Sequence, residues 1–276
     1  MYSYGLRILS RAPLVLHVKL VSMPAVDPTQ RFSARVDNYA RYRPGYPPEL
    51  LNVLRKECGL QSTSVIADIG SGTGLLSKLF LENGNPVFGV EPNKEMREAG
   101  ERFLQIFSNF VSIAGTAEAT TLSDHAIDFV TAAQAAHWFD RDQARREFIR
   151  ILKPGGWTVL LWNERRTQST PFLDAYERLL LKYGTDYQQV RHERTTDTID
   201  FFFAPSPFQA HVFDSIQEFD YPGLEGRLMS SSYAPLPSHP NYAPMLDELH
   251  RIFDAHQVNG RVGMEYKTRM YYGQLA

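Results

Sequence analysis

The sequence predicts an α/β fold in which a mostly parallel sheet lies between two layers of helices. Short β-rich runs alternate with helical patterns from Ser64 to Asn163, as expected of consecutive βαβ units. The first of these runs, Ser64 to Ile69, is almost entirely apolar, which is typical of a strand covered on both faces. A cluster of glycines follows this run directly and precedes a helical pattern, which indicates a ligand-binding turn.

The first half of the sheet follows from this alternation. The pattern predicts strands at 64–69, 86–90, 111–114, 126–133 and 157–162, and helices at 75–83 and 94–107. The helix after the fourth strand places Ala144, Phe148, Ile151 and Leu152 on one stripe, and the run 153–156 (Lys-Pro-Gly-Gly) ends it. Five parallel strands are therefore predicted before Asn163.

The pattern changes after Asn163. It predicts a helix at 171–183, a polar stretch to about 200, a strand at 208–219, helices at 224–231 and 242–257, and a final strand at 264–274. Because a long excursion separates the two late strands, they cannot form a tight hairpin. We expect them to pair at the sheet edge, with the excursion covering its rim.

Composition restricts the possible ligands. The chain has 276 residues, with 29 basic and 31 acidic side chains and a net charge of -2, so no strong field attracts nucleic acid or an anionic membrane. Cys58 is the single cysteine, which excludes an internal disulfide and a clustered-thiolate metal site and suits a reducing compartment. The apolar run 13–21 is interrupted by His17 and Lys19 and is shorter than the ~20 residues of a membrane span. These features predict a soluble, cytoplasmic protein with a small-molecule ligand and no metal.

The glycine-rich turn favours one class of nucleoside ligand. A dinucleotide turn has the spacing Gly-x-Gly-x-x-Gly, but the third glycine here comes one residue early, at Gly74, and Leu75 follows. Asp68 ends the preceding strand, where its carboxylate would repel a diphosphate by roughly 4 kcal/mol at ~4 Å and an effective dielectric of ~20. S-adenosylmethionine (SAM) carries an ammonium and a sulfonium and no phosphate. The turn therefore favours SAM, with an NAD(P)-dependent oxidoreductase as the alternative.

Glu91 supports a nucleoside of either kind. It ends the second strand, 17 positions after Gly74, where a carboxylate can accept hydrogen bonds from both ribose hydroxyls. The alternative is a solvated side chain before Pro92.

These segments resemble the class I SAM-dependent methyltransferases, in particular the small-molecule branch related to the ubiquinone-biosynthesis and trans-aconitate methyltransferases. The resemblance is carried by segments 32–39, 42–47, 65–74, 87–93, 115–118, 128–130, 134–139 and 152–157. It implies a Rossmann-like three-layer sandwich: a mostly parallel seven-stranded sheet with an antiparallel last strand, plus a helical lid.

The resemblance also implies the site residues. The implied cofactor contacts are Tyr39, Arg43, Asp68, Gly70, Ser71, Gly72, Thr73, Gly74, Glu91, Pro92, Asn93, Met96, Thr116, Ala117, Glu118 and Gln134. Asp68 and the glycines would hold the methionine end, Glu91 and Asn93 the ribose, and Glu118 with its neighbour the adenine. Tyr39, Arg43 and Tyr46 would close the pocket. The forked guanidinium of Arg43 suits a carboxylate, although a surface position is an equal alternative.

The same resemblance suggests four regions. Residues 1–22 hold basic and no acidic side chains, and either form a targeting peptide or a tail, or precede a true start at Met23. Residues 23–48 would form a lid, 49–165 the SAM-binding core, and 166–276 the rest of the sheet and the acceptor cap.

Methyl transfer from a sulfonium is a direct displacement, so alignment of the reacting groups can supply much of the acceleration. If the acceptor must lose a proton, His137 is the predicted base; the alternative is a structural histidine packed on Trp138. The cluster 230–233 (Ser-Ser-Ser-Tyr), with His239 and Tyr242, either lines an acceptor pocket or caps turns. A SAM-binding protein without catalysis is a further alternative.

Overall fold

The computed structural model describes residues 41–190 and 195–275, with side chains at 189–198 left aside. Tyr39 and the predicted regions before residue 41 lie outside the described residues. None of the helices in the described ranges has the length and apolarity needed to cross a bilayer.

The described elements alternate as predicted through the first half of the chain. The strands are β1 (Ile66–Ile69), β2 (Val87–Val90), β3 (Phe110–Ile113), β4 (Ile127–Ala133), β5 (Leu152–Arg165), β6 (Phe208–Phe219) and β7 (Val262–Gly273). The helices are α1 (Glu49–Cys58), α2 (Leu75–Glu82), α3 (Lys94–Leu104), α4 (Arg141–Ile151), α5 (Pro171–Tyr183), α6 (Tyr187–Val190), α7 (Thr195–Phe203), α8 (Tyr221–Met229) and α9 (Tyr242–His256). A short 3₁₀ helix, Ala136–Trp138, follows β4.

The strands form one seven-stranded sheet in the order β3-β2-β1-β4-β5-β7-β6. The pairings from β3 to β5 are parallel, and β7 runs antiparallel to both β5 and β6. The predicted mostly parallel sheet with an antiparallel last strand is therefore confirmed, as is the pairing of the two late strands. Because β2 and β3 extend the sheet on one side of β1, and β4 and β5 extend it on the other, the carboxyl ends of β1 and β4 border a crevice where ligands of such sheets bind.

Three predictions of local structure are wrong. The run 153–156 ends helix α4 but does not interrupt the sheet, because β5 already begins at Leu152. Leu152 pairs with Ile127 and Trp157 pairs with Phe129, so the Lys-Pro-Gly-Gly run forms a bulge in β5. The stretch predicted as polar and irregular contains α6 and α7. Helix α8 begins at Tyr221 and not at 224, because the side chain of Asp220 accepts a hydrogen bond from Gly223 N.

Apolar packing divides the described residues into three clusters. Two of them cover the faces of the parallel strands, one including Phe148 and Phe202 and the other Leu54 and Phe80. The third packs helices α5, α8 and α9 against the end of β6 and the start of β7, around Tyr176. This third cluster lies beyond the carboxyl end of β5 and covers the rim of the sheet.

Candidate active site

Only glycine fits the turn after β1 at two of its positions. Gly70, Gly72 and Gly74 have φ angles of 68°, 57° and 83°, a region that residues with a Cβ rarely adopt. A Cβ on Gly70 would lie 2.6 Å from Ala135 Cβ, and one on Gly74 would lie 2.5 Å from Leu104 Cδ1. The turn is therefore pressed against the residues after β4 on one side and against helix α3 on the other.

The side chain of Asp68 lies buried beneath the turn. Its side chain is 1% exposed. Ser77 Oγ donates to Asp68 Oδ2 at 2.7 Å, and Thr131 Oγ1 donates to Asp68 Oδ1 at 3.1 Å. Burial raises the pKa of this carboxyl to about 6, and the hydrogen bonds from Ser77 and Thr131 oppose that rise. A nearby cation would favour the ionised form.

Glu91 is held at the end of β2 by two backbone donors. Gly72 N donates to Glu91 Oε2 at 2.9 Å, and Asn93 N donates to Glu91 Oε1 at 2.9 Å. The residue is 8% exposed, and burial raises the pKa of its carboxyl against these hydrogen bonds. Since each carboxylate oxygen has a second lone pair, Glu91 can still accept hydrogen bonds from a diol. The alternative of a solvated side chain is wrong.

Asn93 starts the helix that borders the same space. Its Oδ1 accepts from Met96 N at 2.8 Å, which caps helix α3. This cap directs the first turn of α3 toward the glycine turn, where Met96 is 6% exposed. Pro92 joins Glu91 to the cap.

A cavity of about 340 Å³ lies between the glycine turn, the end of β2 and the residues after β4. Its lining brings together ten of the predicted cofactor residues: Gly70, Gly72, Glu91, Pro92, Asn93, Met96, Thr116, Ala117, Glu118 and Gln134. Glu118 Oε1 accepts from Asp140 N at 2.9 Å, which fixes the far wall. The volume is within the range of small-molecule sites.

A second, smaller space of about 40 Å³ lies on the other side of the turn. Its lining includes Tyr46 and the predicted residues Asp68, Ser71 and Thr73. Gly70 and Gly72 border both spaces. Gly74 lines neither and instead begins helix α2.

Gln134 joins the cavity wall to the next strand and to the amino-terminal segment. Its φ of 56° is left-handed, a strained conformation for a residue other than glycine. Gln134 Nε2 donates to Asn163 O at 2.9 Å, and Asn163 Nδ2 donates to Gly45 O at 3.0 Å. Thr268 of β7 donates to Asn163 Oδ1 at 2.5 Å. Asn163 therefore contacts three separate parts of the structure.

Two predicted site residues lie elsewhere. In the described part of the chain, His137 and Arg43 line neither of these two cavities. His137 packs on Trp138 with ring centroids 4.7 Å apart, which is the arrangement of the structural alternative. Arg43 Nη2 donates to Ser230 O at 3.0 Å, so it points toward the third apolar cluster.

Several apolar residues of the larger cavity were not predicted from the sequence: Ala133, Ala135, Trp138 as a cofactor contact, and Phe139. All of them follow or end β4. Their position after β4 could have identified them, because such sheets bind ligands at the carboxyl ends of the strands where the strand order changes sides.

This strand order, with a glycine-rich turn after β1 and a buried carboxylate at the end of β2, is the arrangement that the resemblance to class I SAM-dependent methyltransferases implies. Residues 67–160 match the model of the family described as a methyltransferase domain.

Comparison with known proteins agrees with this class. The chain is 37% identical over 139 residues to an uncharacterized methyltransferase of Mycobacterium tuberculosis, covering 50% of this chain and 54% of the relative. The chain thus spans about half the length of the curated relatives it matches. It is also 32% identical over 152 residues to an uncharacterized methyltransferase of Schizosaccharomyces pombe, with 55% of this chain and 59% of that relative covered.

A solved structure shows the same fold over most of the chain. It is a protein described as a type II methyltransferase from Anaeromyxobacter dehalogenans, with a TM-score of 0.63, 20% identity, and 84% of this chain and 98% of that one covered. At this identity the likeness concerns the fold.

Proposed function

We propose that this protein is a SAM-dependent methyltransferase that acts on a small-molecule acceptor. The observation that carries the proposal is the position of Glu91 at the wall of the larger cavity, with its carboxylate held by Gly72 N and Asn93 N. A carboxylate fixed in this way offers acceptors to a ribose without any reorganisation. The matched methyltransferase domain includes this residue.

Different residues of the cavity would contact different parts of the cofactor. Glu91 would accept from the ribose hydroxyls, while Ala117, Glu118 and Phe139 would enclose the adenine. Gly70 and Gly72 border both spaces, so the methionine part would pass over the turn toward Asp68. When bound, SAM supplies an electrophilic methyl group.

The buried carboxyl of Asp68 favours a cationic cofactor. Its charge is poorly solvated, and a cation near it would relieve that cost. A diphosphate would increase the cost of the buried negative charge. This argues against a dinucleotide even though Asp68 lies below the turn. This repulsion is the reason to rank the NAD(P)-dependent oxidoreductase second.

The chain's own residues would act by positioning. The acceptor would approach the carboxyl ends of β4 and β5, where Gln134 is fixed to Asn163. Excluding water and aligning the acceptor with the methyl group are the contributions expected for a direct displacement. Oxygen acceptors, carboxylate or hydroxyl, remain our proposal for the group that receives the methyl.

Calorimetric titration tests the cofactor. SAM should bind the purified full chain with a dissociation constant below 100 µM, roughly -5.5 kcal/mol or tighter, and NADH should not compete. Binding of NADH without SAM would reject the proposal in favour of the oxidoreductase.

A second experiment tests catalysis. The protein is incubated with SAM carrying a labelled methyl group and a metabolite extract, and the labelled small-molecule product is isolated. A heat-inactivated sample is the control. Tight SAM binding without a labelled product from any extract would support a SAM-binding protein that lacks catalysis.

The regional division belongs to the same proposal. Residues 49–165 would be the SAM-binding core and 166–276 would complete the sheet and form the acceptor cap, with the cytoplasm as the location suited to the single cysteine.

A further inference from the structure

Three arginines converge in the region beyond β5. Arg165 comes from the end of β5, Arg227 from helix α8 and Arg43 from the amino-terminal segment. The positive charges of all three lower the pKa of the Tyr233 phenol. We call Arg43, Arg165, Arg227 and Tyr233 the cap arginine cluster. Arg227 is 5% exposed, and the side chain of Arg165 is 9% exposed. Guanidinium groups this deeply buried need partners of opposite charge.

The described residues supply a single carboxylate to the two buried guanidiniums. Glu177 forms an ion pair with Arg165, and Tyr187 Oη donates to the same Glu177 oxygen at 2.7 Å. Arg227, by contrast, bonds only hydroxyls among the described residues. Its Nε donates to Tyr266 Oη at 3.0 Å, and its Nη1 donates to Ser231 Oγ at 3.1 Å. Arg165 and Arg227 together therefore retain excess positive charge in the described part of the chain.

The hydroxyl of Tyr176 provides an independent sign of a missing acceptor. Tyr176 is 1% exposed, and its Oη has no hydrogen-bond partner in the described structure. Arg165 lies over its ring, with Cζ 5.1 Å from the ring centroid. A buried hydroxyl without a partner costs about 1–3 kcal/mol, so an acceptor that reaches this point would remove the cost.

The electrostatic effect on Tyr233 is consistent with this excess. Burial alone would raise the pKa of this phenol, but the guanidiniums of Arg227, Arg165 and Arg43 lower it below its usual value. The same burial raises the pKa of the neighbouring Tyr176. The field in the cluster is therefore favourable to negative charge.

The cluster lies next to the candidate active site. Arg165 is two residues beyond Asn163 on β5, so it lies on the same face of the strand about 6.6 Å further on. Asn163 contacts Gln134 of the larger cavity and Gly45, and Gly45 is two residues from Arg43. The larger cavity and the cluster therefore lie at the same end of the sheet, at the carboxyl ends of β4 and β5.

We propose that the cap arginine cluster binds a carboxylate of the methyl acceptor, so that the acceptor is a small organic acid held by Arg227, Arg165 and the hydroxyl of Tyr176. The inference rests on the proposed methyltransferase function, because the site is offered to the acceptor of that reaction. It also gives Ser230 and Ser231 a role, since they orient Arg227.

Succinate is the probe for this site, and succinamide is its uncharged counterpart. Each is titrated by calorimetry into the SAM-loaded full chain. We expect succinate to bind at least tenfold more tightly than succinamide and than inorganic phosphate. Equal binding of succinate and succinamide would overturn the proposal, and tighter binding of phosphate would overturn the choice of a carboxylate.

Tyr176→Phe is the decisive variant. Because the hydroxyl has no partner among the described residues, its removal should leave the melting temperature unchanged or higher, yet weaken succinate binding at least fivefold. Arg227→Met should abolish succinate binding, and Tyr221→Phe, which lies on the opposite side of α8 near His250, is the matched control. Unchanged succinate affinity in Tyr176→Phe would overturn the proposal even if Arg227→Met fails to fold.

SAM affinity is measured on the same samples. If SAM fails to bind the wild type, the methyltransferase function is wrong whatever succinate does. If SAM binds and succinate does not, only the carboxylate site is wrong.

Discussion

The backbone N–H of Gly72 donates to the carboxylate of Glu91 at 2.9 Å, which joins the turn after β1 to the end of β2. The same carboxylate accepts from Asn93 N, so its two oxygens are fixed before any ligand arrives. The turn, the carboxylate and the cap of helix α3 thus form one hydrogen-bonded unit.

Glu91→Gln should weaken SAM binding about ten- to hundredfold, because charge-assisted hydrogen bonds contribute about 1.5–3 kcal/mol. The new amide would also direct its NH₂ group at one of the two backbone donors. Calorimetric titration measures the loss. Glu98→Gln, on the partly exposed face of helix α3, should bind SAM as the wild type does; a change of less than twofold in Glu91→Gln would contradict the assignment.

Gly70→Ala should destabilise the protein by about 2 kcal/mol or more. The left-handed conformation alone costs an alanine roughly 1–2 kcal/mol, and the new Cβ would lie 2.6 Å from Ala135 Cβ. Urea unfolding measures the change. Gly263→Ala is the control, because no heavy atom lies within 4 Å of its added Cβ; equal unfolding free energies for the two variants would refute this account of the turn.

As the pH rises from about 4 to about 6, the free energy of unfolding of the wild type should decrease relative to that of Asp68→Asn. The pKa of Asp68 is raised by burial to about 6 from 3.8, so the folded state binds more protons than the unfolded state in this window, and the free energy of unfolding decreases as pH rises. The full effect, roughly 3 kcal/mol, is present above pH 6.

Urea unfolding of both proteins at pH 4, 5, 6 and 7 measures this difference. Asparagine is a suitable reference, because the hydroxyls of Ser77 and Thr131 can rotate to bond an amide. Parallel pH profiles for the two proteins would show that Asp68 has the same pKa in both states.

Trp138→Ala should weaken SAM binding about five- to thirtyfold, whereas His137→Gln should leave it within twofold. Trp138 lines the larger cavity and His137 does not, and losing the contact of one large apolar side chain costs about 1–2 kcal/mol. Because the residues are neighbours on one 3₁₀ turn, each is the control for the other. The opposite ranking in calorimetric titration would restore His137 as a site residue.

Regular periodicity made much of the fold predictable. The bounds of helix α5 and strand β6 match the prediction, because apolar spacing and turn residues agree at both of their ends. The start of β5 could not be read in the same way. Pro154 and the glycines after it normally end an element, but here the pairing of Leu152 with Ile127 continues the strand across them. That pairing is a tertiary effect.

The glycine turn and the carboxylate beside it could be predicted from the sequence, whereas the region beyond β5 could be predicted only in part. Glycine spacing and strand ends identify Gly72 and Glu91, since those positions serve a backbone that approaches its ligand. The buried charge of Arg227 was missed because arginine is usually exposed. A signal existed, since Leu224 and Leu228 place Arg227 on the buried side of α8, but its partner residues come from distant parts of the chain.

Asn163 touches the cavity wall through Gln134, the amino-terminal segment through Gly45, and β7 through Thr268. A ligand that moves any one of these groups changes the free energy of the other two, and such coupling between binding sites is reciprocal. If a bound nucleoside changes the affinity of the proposed acceptor by some factor, the bound acceptor changes the affinity of the nucleoside by the same factor. The combined affinity for the two ligands is therefore the same whichever of them binds first.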